Sequence, residues 1–379
     1  MTEQPSLSLL SHFRDLQDPR VERTRDHLLL DIIAIAICAV IGGAEDWVAI
    51  ETFARAKHDW FARFLALPNG IPSHDTFGRV FARLDPARLA ECFQSWMGTL
   101  CQRLGLKHVA LDGKTLRRSH DRGKGKAALH LVSAWATENS LTLGQVAVAD
   151  KSNEITAIPQ LLQMLDVAGA LVTIDAMGCQ KEIAATIRQQ GADYLLAVKE
   201  NQPRLHEDIE QFFQAALDDD LVGRRHDYAE TAEVGHGRGE QRGCWVFGEP
   251  TWIRDRSLWV DLRSVVVVVR TRDVDGKSSS ELHYYISSRQ AKAADFLQAT
   301  RDHWRIENNC HWVLDVSFAE DQSRIRKDHG PENFAWLRRM ALSLLKRAKG
   351  VKGGIRCRRL NAGWDTTFLE QVLSGFDEE

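Results

Sequence analysis

The order of short apolar segments between residues 107 and 198 restricts the possible folds more than any other feature of the chain. Apolar runs of strand length occur at residues 107–111, 129–137, 141–149, 170–174 and 194–198. Helical spacing of apolar residues occurs after the third and fourth runs, at 155–165 and 181–190. Residues 138–140, Glu-Asn-Ser, predict a hairpin between the second and third runs. We therefore expect a sheet whose later strands are joined through helices.

This order of elements is that of a ribonuclease-H-like sheet, in which the first and fourth strands lie side by side. Each of these two strands is followed at once by an aspartate, Asp112 after the first and Asp175 after the fourth. A third acid, Glu307, lies in a segment with helical spacing near residues 303–312. The sequence thus predicts an α/β (α+β) fold with a ribonuclease-H-like mixed sheet core that brings Asp112 and Asp175 together.

Helical spacing also occupies the first part of the chain, where Asp-Pro, Gly-Gly and Asn-Gly pairs separate the segments. We expect an all-helical N-terminal domain over residues 1–104, followed by a second domain over 105–348. One N-terminal helix, predicted at 73–84 with Ser73 as its N-cap, carries arginines and is a candidate for reading DNA. Packing within a helical bundle is the more common use of such a helix.

The helical signal lapses between about residues 223 and 289, where three apolar runs predict a β insertion in the second domain. One of these runs, at 265–269, consists of valines and would favour aggregation at an open sheet edge. We therefore expect it to be paired and covered. The last segment, 349–379, is basic and then acidic and is expected to be a loosely ordered tail.

Two aspartates at strand ends and one glutamate on a helix can converge on a pair of divalent cations. Such cations prefer carboxylate oxygens, and two of them can activate an attacking oxygen and stabilise the leaving oxygen of a phosphodiester. We therefore expect two Mg²⁺ ions, for which Mn²⁺ could substitute, with Asp112 bridging them. Asp175 would bind one ion and Glu307 the other, and the pattern indicates a DNA-processing enzyme.

Each acid also has an ordinary structural explanation. Asp112-Gly113 and residues 175–178 could simply form turns after strands, and most glutamates on helices are solvated. Three acids downstream of Glu307 are rival ligands for the third position: Asp315, Glu320 and Asp321. The joint arrangement of the three acids, rather than any one of them, supports a metal site.

The formal net charge of −3 is unusual for a protein that binds nucleic acid, but the basic residues are clustered. Six of them follow Asp112: Lys114, Arg117, Arg118, Arg122, Lys124 and Lys126. Seven more, with no acid among them, lie between Lys346 and Arg359. A phosphate backbone could lie along either cluster, although solvated surface charge explains each cluster equally well.

Other polar residues are candidates for contact with double-stranded DNA. Lys199 and Asn201 follow the fifth predicted strand and could hold the backbone of the cleaved strand. An ordinary polar loop is an equally good explanation for them. His236 and Arg238 lie in a Gly-rich loop of the β insertion, which could reach DNA ends or could be an ordinary hairpin tip.

The segment around Glu307 contains two tryptophans, Trp304 and Trp312. Stacking on a DNA base is one use for such residues. Large apolar side chains on helices more often pack in a core, so we expect both to be core residues.

The seven cysteines are scattered and include no Cys-x-x-Cys pair, which argues against a disulfide framework or a structural zinc site. No signal peptide is recognised at the N-terminus, and the longest apolar run, at 28–40, is too short to span a bilayer. It carries Asp31 and predicts a buried helix. We therefore expect a cytoplasmic protein without a membrane partner.

Several segments form an ordered series through nearly the whole chain. They include Leu111-Asp-Gly-Lys-Thr-Leu-Arg-Arg-Ser119, Thr173-Ile-Asp-Ala-Met-Gly-Cys-Gln180, Lys199-Glu-Asn-Gln202, Gly235-His-Gly-Arg238, His303-Trp-Arg-Ile-Glu-Asn308 and His311-Trp-Val-Leu-Asp-Val316. With this series, the chain resembles the H-repeat-associated insertion-sequence transposases, a branch of the DDE transposases with a ribonuclease-H-like core. A single short segment would be weak evidence, whereas the ordered series is specific.

The resemblance implies that Asp112, Asp175 and Glu307 are the DDE triad, with divalent metal ions as cofactors. It implies a transposase that cleaves DNA at element ends and transfers strands into target DNA. The implied partners are the terminal repeats and the target DNA, and a homodimer is expected on DNA because two ends must be paired.

The chain departs from the Tyr-Arg-Glu-Lys signature of the wider group at three positions, which hold Thr300, His303 and Leu314. His303 could still contact phosphate, but its charge depends on pH. Two other interpretations remain open. One is a catalytically inactive DNA-binding remnant of a transposable element, and the other is a ribonuclease-H-like nuclease without joining activity.

Overall fold

The computed structural model describes residues 8–120, 125, 127–148, 154–235, 238–274 and 277–374. The predictions for Arg122, Lys124, Lys126 and His236 fall outside these residues, and the side chain of Arg238 is not described either. Within the described ranges, helices surround one nine-stranded mixed sheet. The cysteines described there are free thiols. None of the helices in this part of the chain is both long and apolar enough to cross a membrane.

Before its first strand, the described chain forms only helices. They are α1 (Ser8–Ser11), α2 (Leu29–Ile41), α3 (Trp47–Ala56), α4 (His58–Phe61), α5 (His74–Arg83) and α6 (Pro86–Leu104). Helix α2 is apolar on every side apart from Asp31, and is therefore buried along almost its whole length. Ser73 caps α5 as predicted, because its Oγ accepts a hydrogen bond from the Thr76 N–H at 3.3 Å.

Five strands form the part of the sheet that the order of elements predicts. They are β1 (His108–Thr115), β2 (His130–Ala136), β3 (Leu141–Val148), β4 (Leu171–Ile174) and β5 (Asp193–Val198). Their order is β3-β2-β1-β4-β5, so the predicted adjacency of the first and fourth strands is confirmed. Strand β1 is parallel to β4 and antiparallel to β2. Three helices follow β3, β4 and β5: α7 (Glu154–Gln163), α8 (Lys181–Gln189) and α9 (Pro203–Asp218).

The strands of the predicted β insertion do not form a separate sheet. They extend the same sheet beyond β5. They are β6 (Asp227–Gly235), β7 (Arg238–Gly248), β8 (Ser264–Val274) and β9 (Lys277–Ser287). Strand β9 pairs with β5, which gives the order β3-β2-β1-β4-β5-β9-β8-β7-β6. The valine run is paired and covered as predicted, since residues 265–268 are buried in β8 between β7 and β9.

The helices after the sheet connect it to the N-terminal helices. They are α10 (Ala293–His303), a π-helical turn (Glu307–His311), α11 (Trp312–Phe318) and α12 (Gly330–Arg347). Helix α12 is buried over most of its length and contacts β3 as well as α2 and α5. One hydrophobic core therefore runs from the N-terminal helices into the sheet.

The expectation of a loosely ordered tail is wrong for most of the C-terminal segment. Ile355–Trp364 forms helix α13, and Thr366–Ser374 forms helix α14. Buried Arg359 in α13 donates hydrogen bonds to the carbonyls of Val40 and Ala44, at 3.1 and 3.3 Å. The last carbonyls of a helix have no partner within it, so Arg359 both satisfies the end of α2 and fixes α13 to the N-terminal helices.

Candidate active site

The parallel pairing of β1 and β4 places Asp112 and Asp175 next to each other. Leu111 lies opposite Ile174 in the register, so the next residue on each chain segment is one of the two acids. Neighbouring strands are about 4.8 Å apart, and both acids therefore project from the same level of the sheet. The prediction that β1 ends before Asp112 is wrong, because pairing with β2 carries the strand on to Thr115.

Gly113 is part of this strand, so the interpretation of Asp112-Gly113 as a turn is wrong. A Cβ at Gly113 would lie 2.4 Å from Oε1 of Glu154 and 2.7 Å from Nε2 of His130. These two side chains are buried, and the same two atoms are 2.6 Å apart. Glycine at 113 therefore admits a buried histidine–glutamate pair directly against the backbone beside Asp112.

Glu307 begins the π-helical turn and His311 ends it, so their side chains meet on one side of the helix. Nδ1 of His311 is 3.1 Å from Oε2 of Glu307 and 3.3 Å from Oδ2 of Asp112. Ligand atoms of the three residues all lie within 4.8 Å of one another. Among the described residues, this is the group of acids and histidines that could hold a metal ion together.

Sequence reasoning identified Asp112 and Glu307 but missed His311. The available signal was the spacing of four residues between Glu307 and His311, which places both on one helix face. Because His311 is 2% exposed, it is held in the core and joins the helix to the sheet.

The protonation of this group follows from its contacts. Burial lowers the pKa of His311, but hydrogen bonds with Asp112 and Glu307 outweigh burial and raise that pKa. Burial raises the pKa of Asp112, but the hydrogen bond and charge of His311 bring it below its usual value. The hydrogen bond with His311 also lowers the pKa of Glu307. The two carboxylates therefore favour the protonated form of the His311 imidazole, whereas its burial opposes that form.

Asp175 lies beside this group, but one of its carboxylate oxygens is engaged with its own backbone. Oδ1 of Asp175 accepts hydrogen bonds from the N–H groups of Met177 and Gly178, at 3.1 and 3.4 Å. Residues 175–178 therefore form a turn, as the ordinary structural explanation of this segment predicted. Burial raises the pKa of Asp175, and the charges of Asp112 and Glu154 raise it further. A cation would relieve this concentration of negative charge.

Asn201 helps to hold the turn that follows Asp175. Nδ2 of Asn201 donates to the carbonyl of Ala176 at 2.7 Å, and the neighbouring Gln202 donates in the same way to Cys179 at 2.8 Å. Asn201 and Lys199 also line an open cleft of about 880 Å³ together with Asp175. The amide of Asn201 is thus engaged with protein backbone, whereas Lys199 is exposed in the cleft.

His303 is half-buried behind the two aspartates. Its Nδ1 lies 3.0 Å from Oγ1 of Thr173, and the same hydroxyl lies 2.8 Å from Nε2 of His108. Burial lowers the pKa of His303 in spite of the charges of Asp112 and Asp175. A charged contact with phosphate, considered for this residue from the sequence, is therefore not favoured at this position.

Each of the three rival acids has a basic partner. The pairs are Asp315 with Lys114 at 2.5 Å, Asp321 with Arg117 at 3.2 Å and Glu320 with Arg339 at 2.9 Å. Glu307 remains the acid whose carboxylate faces Asp112. Lys114 is 9% exposed, so it lies below the surface at which a DNA contact was expected, whereas Arg117 and Arg118 are exposed.

Trp304 and Trp312 are 56% and 57% exposed, so the expectation that both pack in the core is wrong. Ile306, Cys310 and Leu314 form the buried face of this segment instead. Two large aromatic surfaces therefore lie in solvent on either side of Glu307 in the chain.

Comparison with known proteins shows the family to which the chain belongs. Residues 103–344 match the family described as Transposase DDE domain, and residues 10–97 match the family described as DDE_Tnp_1-associated. The “H repeat-associated putative transposase YhhI” of Escherichia coli (strain K12) is 40% identical over 97% of this chain and 98% of its own length. The “Putative transposase YncI” of Escherichia coli O157:H7 is 40% identical over 98% of this chain and 95% of its own length.

Among solved structures, a piggyBac transposase synaptic complex with hairpin DNA aligns with 99% of this chain and 82% of its own chain. The TM-score of 0.43 and the identity of 9% are too low to support an inference. The family match, by contrast, spans Asp112, Asp175, Glu307 and His311. Because the sequence relatives also match along almost the whole chain, the chain belongs to the H repeat-associated DDE transposases.

Proposed function

We propose that this chain cleaves DNA at the ends of an insertion sequence and transfers the resulting 3′ hydroxyls into target DNA. The observation that carries the proposal is the cluster of Asp112, Glu307 and His311, whose ligand atoms lie within 4.8 Å of one another. Asp175 on the neighbouring strand completes the triad of acids. Membership of the DDE transposases supports this chemistry.

The proposal includes a division of the chain into parts. Strands β1–β5 would be a ribonuclease-H-like core within a catalytic domain over residues 105–348, which the strands between about 223 and 289 extend. The helical residues 1–104 would be a separate domain that can contact DNA, and 349–379 would be a C-terminal appendage. The order β3-β2-β1-β4-β5 supports the assignment of the core.

The donor set suits a hard divalent cation, because it consists mainly of carboxylate oxygens. Asp112, Asp175 and Glu307 would hold two Mg²⁺ ions, or Mn²⁺ in their place. Bound ions would neutralise charge on the attacking and leaving oxygens of the phosphodiester. Oδ1 of Asp175 is engaged with the turn, which leaves Oδ2 for an ion. His311 keeps Asp112 and Glu307 together by holding a proton at Nδ1 between them.

The partners in this proposal are double-stranded DNA with the terminal repeats and the target DNA. Two element ends must be processed together, so we propose that a homodimer assembles on DNA. Exposed Arg117, Arg118 and Lys199 are the proposed contacts for phosphates near the acids. The free thiols of the described cysteines are consistent with action in the reducing cytoplasm.

The test is an assay of cleavage and joining with labelled DNA that carries the inverted repeats flanking the gene. Wild type, Asp112→Asn and Glu307→Gln are incubated with the DNA and target plasmid in Mg²⁺, Mn²⁺ or EDTA. We expect nicking at the repeat ends and strand-transfer products with either ion. Each variant removes a carboxylate that would bind an ion, and EDTA removes the ions themselves. Both variants and EDTA should therefore abolish these products.

Glu182→Gln is the matched control, since Glu182 is an exposed glutamate on helix α8 and is not one of the residues that line the cleft around Asp175. It should cleave like wild type. Cleavage without joined products would indicate a nuclease, and DNA binding without cleavage in either ion would indicate an inactive remnant. Full cleavage by Asp112→Asn would remove Asp112 from the site.

A further inference from the structure

A groove between helix α10 and strands β7–β9 is rich in arginine. It has a volume of about 700 Å³, and the turn after α10 forms one of its ends. Five arginines line it: Arg242, Arg270, Arg272, Arg301 and Arg305. None of them belongs to the DNA contacts expected from the sequence or proposed above, so the groove is a distinct surface.

The arginines have acidic partners, but positive charge is in excess. Arg242 and Arg272 share Glu240, while Arg270, Arg301 and Arg305 pair with Glu281, Glu233 and Asp302 in turn. Five guanidinium groups thus face four carboxylates. Each guanidinium carries five N–H donors, and one or two bonds to an acid leave others for a ligand. Nε of Arg270 is buried and has no hydrogen-bond partner among the described residues.

The charges of the arginines act on one another and on the histidine beside them. Burial lowers the pKa of Arg242. The charge of Glu240 raises this pKa, whereas the charges of Arg301 and Arg270 lower it. Burial and the charge of Arg270 lower the pKa of His283. Burial is the largest cause of both shifts, and the neighbouring arginines add to it.

The groove leads to the proposed active site. Trp304, Arg305 and Asn308 line it, and these residues lie on either side of Glu307 in the chain. His283 lines both this groove and the cleft that contains Asp175 and Lys199. The two depressions therefore share His283, and the second of them contains Asp175.

We propose that this groove binds the sugar–phosphate backbone of one DNA strand next to the phosphodiester that is cut. Guanidinium groups match phosphate oxygens in geometry and charge, and several in a row follow a strand rather than a single anion. The exposed indole of Trp304 at the end of the groove offers a face for a base of that strand. The identity of the ligand as DNA rests on the proposed function, whereas the location rests on the groove itself.

The test compares DNA binding by wild type and by the double variant Arg272→Ala/Arg305→Ala. These arginines are 46% and 47% exposed, so the fold should tolerate their loss. Affinity for a short fluorescent duplex of mixed sequence is measured in EDTA over a series of salt concentrations. We expect affinity at low salt to fall about tenfold or more. The log–log salt slope should fall by roughly 0.9 for each phosphate that the variant no longer neutralises.

The matched control is Arg204→Ala/Arg254→Ala, which removes the same charge outside the groove and outside the N-terminal region. These arginines are 74% and 53% exposed and also have acidic partners, Asp255 and Glu207. An unchanged slope in the groove variant, or the same loss in the control, would overturn the proposal. If the alanine variant unfolds, Arg272→Gln/Arg305→Gln keeps the aliphatic parts of both side chains and gives the same two outcomes.

Cleavage of repeat-end DNA by the same proteins separates this proposal from the proposed function. A wild type that never cleaves, beside a groove variant with a reduced slope, would reject the transposase activity and keep the groove. A wild type that cleaves, beside a groove variant that binds and cleaves equally well, would reject the groove alone.

Discussion

Nδ1 of His311 lies 3.3 Å from Oδ2 of Asp112, and this contact joins the helix that carries Glu307 to the strand that carries Asp112. The same nitrogen is 3.1 Å from Glu307, so one buried imidazole holds both acids. The separation of Asp112 and Glu307 is therefore set by contacts with a protein side chain.

The first prediction concerns the pH dependence of stability in EDTA. The pKa of His311 is raised above 6.5, and those of Asp112 and Glu307 are lowered below 3.8 and 4.5. Stabilisation from the raised group is present below pH 6.5 and lost as pH rises through the raised value. Stabilisation from the lowered groups is present above pH 4.5 and lost as pH falls through their lowered values.

The difference in free energy of unfolding between wild type and His311→Gln should therefore be largest between pH 4.5 and 6.5 and should decline on both sides. Urea unfolding at a series of pH values measures it. A difference that is the same at every pH, or that grows above neutrality, would show that the histidine is not held as a cation.

A second prediction concerns Gly113. The variant Gly113→Ala should lose about 1–3 kcal/mol of stability, because its Cβ would lie 2.4 Å from Oε1 of buried Glu154. Cleavage should fall as well, since the same strand carries Asp112 in the preceding position. Chemical denaturation and the cleavage assay measure the two effects.

The matched control is Gly98→Ala in helix α6, where a Cβ would have nothing within 4 Å. It should raise stability by about 0.5–1 kcal/mol, because alanine favours the helix over glycine. Adding Glu154→Ala to Gly113→Ala should relieve part of the clash, because the contact of the new Cβ with Nε2 of His130 at 2.7 Å remains. If Gly113→Ala were as stable as wild type, the backbone beside Asp112 would not be in contact with the histidine–glutamate pair.

The order of elements was sufficient to predict strands β1–β5 and the adjacency of Asp112 and Asp175. Each of these strands is a short apolar run with clear boundaries, and few chain paths connect runs in this order. The extension of the sheet by β6–β9 could not be predicted in the same way. It depends on the pairing of residues 195–198 with 284–287, a contact between distant parts of the chain, and β6 is largely exposed and lacks an apolar signal.

The sequence predicted that Asp112 and Asp175 lie together, but it predicted neither the contacts of His311 nor the exposure of the tryptophans. The role of His311 depends on the π-helical turn. This turn places Glu307 and His311 on one side of the helix, where His311 contacts Asp112. Spacing alone does not decide which apolar residues of this segment face the core, and Ile306 and Cys310 take that face in place of Trp304. Helix α13 was missed because its docking uses a buried arginine, Arg359, and only one small buried apolar residue, Ala362. Helix α14 does bury an apolar face, which consists of Phe368, Leu369, Val372 and Leu373.

A third prediction distinguishes Asn201 from Lys199. Nδ2 of Asn201 donates to the carbonyl of Ala176, so Asn201→Ala should loosen the turn that carries Asp175 and lower kcat for cleavage with little change in DNA affinity. Lys199 is exposed in the same cleft, so Lys199→Ala should weaken DNA binding and reduce its salt slope by roughly 0.9. Binding in EDTA and single-turnover cleavage measure the two effects. Equal losses of affinity in both variants would assign Asn201 to the DNA instead.

The last prediction contrasts two tryptophans of different exposure. Trp312 is 57% exposed next to the turn that carries Glu307, whereas Trp336 is 1% exposed in α12 and packs against Phe93 with ring centroids 5.0 Å apart. Trp336→Ala should cost about 3–5 kcal/mol of stability, because it leaves a cavity in the core. Trp312→Ala should cost less than about 1 kcal/mol, because most of its surface already meets water.

The exposed indole of Trp312 offers a face on which a DNA base can stack. Such stacking contributes about 1–3 kcal/mol of binding free energy for each base. Trp312→Ala should therefore bind single-stranded DNA about tenfold more weakly while its unfolding curve stays close to that of wild type. Urea denaturation and fluorescence anisotropy with a labelled oligonucleotide measure both quantities on the same sample. A large loss of stability in Trp312→Ala would mean that this side chain packs in the core after all, and unchanged DNA affinity would leave its exposure without a role in binding.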